Sequence, residues 1–143
     1  MSLNQRLVDA AIAQALAREG EGSTGAAAVY LCDGRILTSV ALDTPNDAAN
    51  LCHETGALCE ANRLGVGVAA SVCVSRLSPK DPFVILPPCG LCQERLAVWG
   101  LDVEVAVPLA GRPGTWQTKL LRELQPFYWY NTVVGSVAPD ADA

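Results

Sequence analysis

Two cysteines three positions apart, Cys89 and Cys92, stand in the stretch Pro87-Pro88-Cys89-Gly90-Leu91-Cys92. They open an amphipathic run from Gln93 to Trp99. A helix beginning here presents both sulfurs from its first turn, and its N-terminal dipole favours thiolate, the form that binds zinc. Cys52-His53-Glu54 upstream offers a third ligand. Three thiolates, Cys52, Cys89 and Cys92, leave a fourth tetrahedral position for water, which marks a catalytic zinc and not a closed structural one. Zinc lowers the pKa of its water to about 7. Hydroxide attack on an amidine-like carbon then needs a proton shuttle. Glu54 fits that role: its carboxylate takes the water's proton and passes it to the ring nitrogen and the leaving amine.

These residues have to be positioned by alternating helices and strands. Apolar residues at Leu7, Ala10, Ala11, Ala15 and Leu16 predict a helix over Leu3–Arg18. Ala26–Cys32 reads as a strand, Asp33-Gly34 as a tight turn, and Arg35–Leu42 as its hairpin partner. Asp43–Asn50 is a polar loop leading straight into Cys52, a place where substrate contacts often sit. A helix is predicted over Cys52–Leu64, so that Cys52 and Glu54 address one centre from its first turn. Val68–Val74 reads as a buried strand, Phe83–Leu86 as a short one, and Gly90–Val98 as the second ligand-bearing helix. Val103–Pro108 is a further strand, Ala110–Gly114 a turn, and Trp116–Leu124 an amphipathic helix. Four consecutive aromatics follow, Phe127 to Tyr130, and the tail after Val134 is expected to fray. This order predicts an α/β sandwich with a mixed sheet, antiparallel at the opening hairpin and parallel after the crossovers.

A chain of 143 residues is expected to form one domain, 1–143, with a real core, since half of its residues are hydrophobic and only 17% are charged. The net charge of −5 and the lack of any Lys/Arg run argue against nucleic acid or anionic membranes as partners. The apolar stretches are too short to span a bilayer and no signal peptide is visible, so a cytoplasmic location is expected. Six cysteines in that setting read as reduced thiols or metal ligands, with Cys32, Cys59 and Cys73 as small core residues.

Cys52-His53-Glu54 together with Pro88-Cys89-Gly90-Leu91-Cys92 resembles the cytidine deaminase family, over roughly Gly25 to Trp129. The ending Leu124–Trp129 is similar to the aromatic C-terminus of the blasticidin S-type members. The resemblance implies a three-layer α-β-α sandwich with a five-stranded mixed sheet and one Zn2+ per subunit. It further implies hydrolytic loss of ammonia from cytidine or a related aminopyrimidine, and a homotetramer whose sites take residues from neighbouring subunits. Cys52, Cys89 and Cys92 match its zinc ligands and Glu54 its proton shuttle.

The departures bear on substrate and charge. The middle of the family's Cys-x-Glu is usually Ala; here it is His53, the chain's single histidine. If His53 were the ligand, Thr55 would fall in the shuttle position, where it cannot do the chemistry, so Cys52 is kept as ligand and His53 as a neighbour pointing away. The Asn-x-Glu that binds ribose falls near Ala41 and Asp43; Asp43, Asn46 or Asn50 are the substitutes, each also explicable as a turn-forming polar group. Related all-Cys enzymes place Arg where Thr55 and Gln93 stand, which leaves Arg63 and Arg95 as candidates otherwise read as surface residues. Glu60 and Glu94 are read as solvated or salt-bridged. Tyr128 and Trp129 serve either packing or stacking over a substrate base, from the same or an adjacent subunit. Besides cytidine-type and blasticidin S-type deamination, a non-catalytic zinc-stabilised binding protein with His53 as fourth ligand stays open, and a nucleic-acid editing enzyme is disfavoured by the charge.

Overall fold

The structure, a computed structural model, describes residues 2–133. Helix α1 (Gln5–Ala17) starts where Asn4 accepts a hydrogen bond from the Leu7 N–H, and it buries Leu7, Val8, Ala11 and Ala15. Strands β1 (Thr24–Leu31) and β2 (Ile36–Ser39) form the hairpin, turning through Gly34 at φ 90°. Loop 43–50 contains a 3-10 turn at Asp47–Ala49 and is closed by pairing of Leu42 with Leu51. Helix α2 (Thr55–Leu64) ends at Gly65, whose φ of 67° suits glycine. Then come β3 (Val68–Arg76), β4 (Val84–Ile85), α3 (Gly90–Leu96, continued by a 3-10 turn), β5 (Glu104–Leu109), β6 (Arg112–Leu120), α4 (Leu121–Leu124) and α5 (Trp129–Val133).

The strands run β2-β1-β3-β5-β6, with the two-residue β4 paired onto β3. Alternate residues of β1 feed opposite faces. Ala26, Ala28 and Tyr30 join Val72 and Val74 under α1; Val29 and Leu31 join Val105 under α2 and α3. Both faces of the central strands are therefore dry, which is why β1 is apolar almost without interruption. This is the α/β, three-layer α-β-α arrangement with five strands in line that the sequence leads one to expect. No helix among the described residues is long and apolar enough to cross a membrane. The tail after Val134, expected to fray, lies outside the described residues.

Several expectations are corrected. Trp116–Leu124 is not one helix: Arg112–Leu120 is strand β6, antiparallel to β5, and only Leu121–Leu124 is helical. The turn is also tighter than expected, at Ala110-Gly111, with Gly111 at φ 69°. Trp116, Leu120 and Leu124 mimic a helical stripe, but residues 112–120 satisfy their backbone on the open edge of β5. The sheet is parallel only between β3 and β5. The α2 crossover does make β3 run in the direction of β2, but β1 lies between them, so β3 pairs antiparallel with β1. Helix α2 starts at Thr55, three residues later than expected. Cys32 and Cys59 are exposed, one just beyond the end of β1 and one on α2; of the three expected core cysteines only Cys73 is buried.

Candidate metal centre

Helices α2 and α3 pack on the same sheet face, and their N-terminal ends converge. Cys52 lies in the turn before α2, where its carbonyl accepts from the Thr55 N–H at 3.1 Å. Glu54 is the residue capping α2, with helical φ and ψ, and is 5% exposed. On the other side, Pro87 and Pro88 lack N–H groups, so the β4 pairing ends with the Leu86 N–H on Cys73 O. Cys89 caps α3 in extended conformation and Cys92 lies in its first turn.

The three sulfurs lie within 4.8 Å of one another, with Cys52 and Cys89 Sγ atoms 3.4 Å apart. A tetrahedral zinc with Zn–S bonds near 2.3 Å holds its sulfurs about 3.8 Å apart, so the cluster fits that ion. No other such group of His, Cys, Asp and Glu occurs among the described residues. The Cys92 thiol donates to Glu54 Oε2 at 3.5 Å, so the carboxylate borders the cluster without joining it.

His53 turns away. Its Nδ1 accepts from the Ala41 N–H at 2.9 Å, and its Nε2 lies over Gly25, where a Cβ would sit 2.6 Å from it. The reading of His53 as a fourth ligand has no support in this geometry.

Burial shifts the groups here. Desolvation, then the Glu54 charge, pushes the Cys92 thiol far above its ordinary value. Desolvation and the hydrogen bond with Cys89 raise Cys52 as well. Burial also acts to raise Cys89, but the N–H groups of Cys92 and Leu91 and the neighbouring thiols outweigh it and hold Cys89 below the usual thiol range. Desolvation lowers His53 and outweighs the Glu54 and Asp43 charges, which act to raise it.

Arg95, read from the sequence as a surface residue, belongs to this centre. Its Nη1 donates to Thr55 Oγ1 at 3.1 Å and to Cys92 Sγ at 3.6 Å. Burial works against its charge, but the bond to Cys92 and the nearby thiols raise its pKa overall. The signal was available: Cys92 and Arg95 are three apart on one helix, hence on one face. Arg63, by contrast, pairs with Glu60 on the surface of α2.

Cys52 and Cys89 open on a cavity of about 200 Å³ lined by Ala41, Leu86, Pro87, Cys73 and Glu54, mostly apolar walls. A second cavity of about 240 Å³ shares Ala41 and His53 with it and is polar, with Arg18, Thr24, Asp43 and Ser75. Asp43 thus stands near the centre. Asn46 does not line either cavity; its Oδ1 accepts from the Ala48 N–H and caps the 3-10 turn. Asn50 likewise serves its own loop, accepting from the Thr44 N–H at 2.7 Å. Tyr128 and Trp129 lie outside the thiol cavity of their own chain. Both donate to Glu94 on α3, at 3.1 Å, and Trp129 stays 57% exposed.

No family model and no curated protein matches the chain. Solved structures do. A cytidine deaminase from Bacillus anthracis is 38% identical, with 91% of each chain covered and a TM-score of 0.83. The cytidine deaminase of Mycobacterium leprae is 24% identical over 87% of this chain and 99% of its own, with a TM-score of 0.66. That of Mycobacterium tuberculosis is 22% identical over 90% and 98%, with a TM-score of 0.65. The two mycobacterial structures share the fold; the Bacillus structure shares sequence as well.

Proposed function

The chain belongs to the cytidine deaminase family, and from that premise we propose that it hydrolyses the exocyclic amine of cytidine or a related aminopyrimidine nucleoside. One observation carries this reading: three sulfurs within 4.8 Å and a buried carboxylate 3.5 Å from one of them. Cys52, Cys89 and Cys92 would hold the zinc, whose Lewis acidity brings the pKa of a water toward neutrality. Glu54 would carry one proton of the attacking water to the ring nitrogen, then take the remaining hydroxyl proton and pass it to the departing amine. Water adds at the carbon bearing the amine, the C–N bond breaks, and ammonia leaves a carbonyl behind. The apolar walls of the thiol cavity suit a flat ring and exclude bulk water.

Asp43 is the substrate contact in reach of this cavity, and Asn46 positions the loop that carries it. Tyr128 and Trp129 are proposed to stack over the base in a neighbouring subunit of a homotetramer. The exposure of Trp129, and the absence of both residues from the lining of their own chain's cavity, support that assignment over a role within one subunit. One domain and a cytoplasmic location complete the reading.

A second reading is deamination of a blasticidin S-type antibiotic. Ala41 favours it, since the family's ribose-binding Asn is missing there. Loss of absorbance by cytidine and by blasticidin S, followed with zinc-loaded protein and with Glu54→Ala, tests both. Turnover of either by the parent protein alone is expected. A panel of aminopyrimidine nucleosides left untouched by the zinc-loaded protein overturns the deaminase reading.

A further inference from the structure

His53 is the one residue besides Ala41 that lines both cavities, the apolar one at the thiols and the polar one beside it. A neutral imidazole carries one N–H. Because Nδ1 accepts from the Ala41 N–H, the proton resides on Nε2. Nε2 is therefore a donor, and among the described residues no acceptor is bonded to it, nor does it count among the fully buried unpaired atoms.

The chain also makes room for this ring tip. Gly25 interrupts an otherwise side-chain-bearing buried strand, and a Cβ there would meet His53 Nε2 at 2.6 Å and Val74 O at 2.7 Å. The ring is thus held at one nitrogen, given space at the other, and set between the two cavities.

A substrate whose reacting carbon faces the thiols fills the apolar cavity with its ring. Whatever the ring carries must leave that cavity, and the polar cavity adjoins it across His53. Arg18, Thr24 and Asp43 there match a group with both donors and acceptors. We infer that His53 is a specificity-determining residue whose Nε2–H donates to an oxygen of the pendant group on the substrate's ring. This rests on the deaminase reading above and deepens it: the substrate is a ring with an oxygenated pendant, not a free base. The acceptor is a sugar hydroxyl or a sugar carboxylate.

Two substitutions separate contact from scaffold. In His53→Asn, Oδ1 replaces Nδ1 and keeps the Ala41 N–H bonded, but the distal donor is gone. In His53→Gln, the amide restores a donor near the Nε2 position and gives up the anchor. The zinc-loaded proteins are assayed with cytidine (hydroxyls) and blasticidin S (carboxylate), and 1-methylcytosine, which has no acceptor on its pendant, is measured as a competitive inhibitor. His53→Asn is expected to raise KM for whichever pendant-bearing substrate the parent uses by about three- to tenfold. The inhibition constant of 1-methylcytosine stays as in the parent, and His53→Gln regains part of the loss. The substrate that responds identifies the acceptor. Equal weakening of substrate and 1-methylcytosine, or no change in either, overturns the inference while leaving the deaminase reading intact. If the parent turns over neither these compounds nor the wider panel of aminopyrimidine nucleosides, the deaminase reading falls. Calorimetric titration of the same compounds then decides on His53, and equal binding, or none, by parent and His53→Asn overturns that inference too.

Discussion

Arg95 reaches the Cys92 sulfur from one turn further along α3, Nη1 to Sγ 3.6 Å, while the same nitrogen is bonded to Thr55 on α2. Three thiolates around a divalent zinc would sum to −1, and this guanidinium would offset the excess. Arg95→Gln is expected to weaken zinc binding by about ten- to a hundredfold, the usual cost of losing a group that supports a metal ligand. Competition with a chromophoric chelator measures it. Unchanged zinc affinity in Arg95→Gln would remove the residue from the centre.

Glu54 is buried beside the thiols yet outside the cluster. Glu54→Gln keeps the shape and removes the proton acceptor. A fall in kcat of about 10²–10⁴-fold is expected, the range for a general acid–base group. Zinc content should stay at one per chain by metal analysis. Activity within tenfold of the parent would show that protons travel by another route.

Removal of the metal should abolish turnover, and added zinc should restore it. Burial raises Cys92 and Cys52 in the metal-free protein, so both thiols stay protonated to higher pH than free cysteine. Zinc must displace those protons, hence its affinity rises with pH across the neutral range. Titrations at several pH values check the sign. In the same metal-free protein the exposed Cys89, held below the usual thiol range, should be alkylated before Cys92, as read by peptide mass mapping.

Gly25→Ala places a methyl group against both His53 and the Val74 carbonyl. The overpacking should cost about 1–3 kcal/mol in denaturant unfolding. In a His53→Ala background the cost should be smaller, because one of the two clashes is gone. Additive effects would mean that the two residues do not share this space.

The metal chemistry was legible in the sequence because it depends on short spacings. Cys89 and Cys92 share one helical turn, and Glu54 follows Cys52 by two residues, so local geometry nearly sets each pair. The α/β sandwich was legible for a similar reason, since periods of two and near four residues write burial directly into the chain, while the three layers and five strands were implied by the family resemblance. The direction of β3 against its neighbour was not, since pairing depends on which strand comes to lie between β2 and β3. Nor was β6, whose helix-like apolar spacing yields to the hydrogen bonds available on the edge of β5. Arg95 was misread although its spacing from Cys92 puts both on one face of α3; its partner Thr55 on α2 was the part that spacing could not show.

By itself, then, the sequence named the candidate thiols, the candidate carboxylate and the enzyme class, all carried by spacings within a few residues. Only the tertiary structure decided that α2 and α3 bring Cys52 and Cys92 together, that Arg95 bridges Cys92 to Thr55 between those helices, and that His53 faces Gly25 and not the thiols. Those are contacts between segments far apart in the chain, and no spacing along a sequence encodes which side chains meet across a sheet.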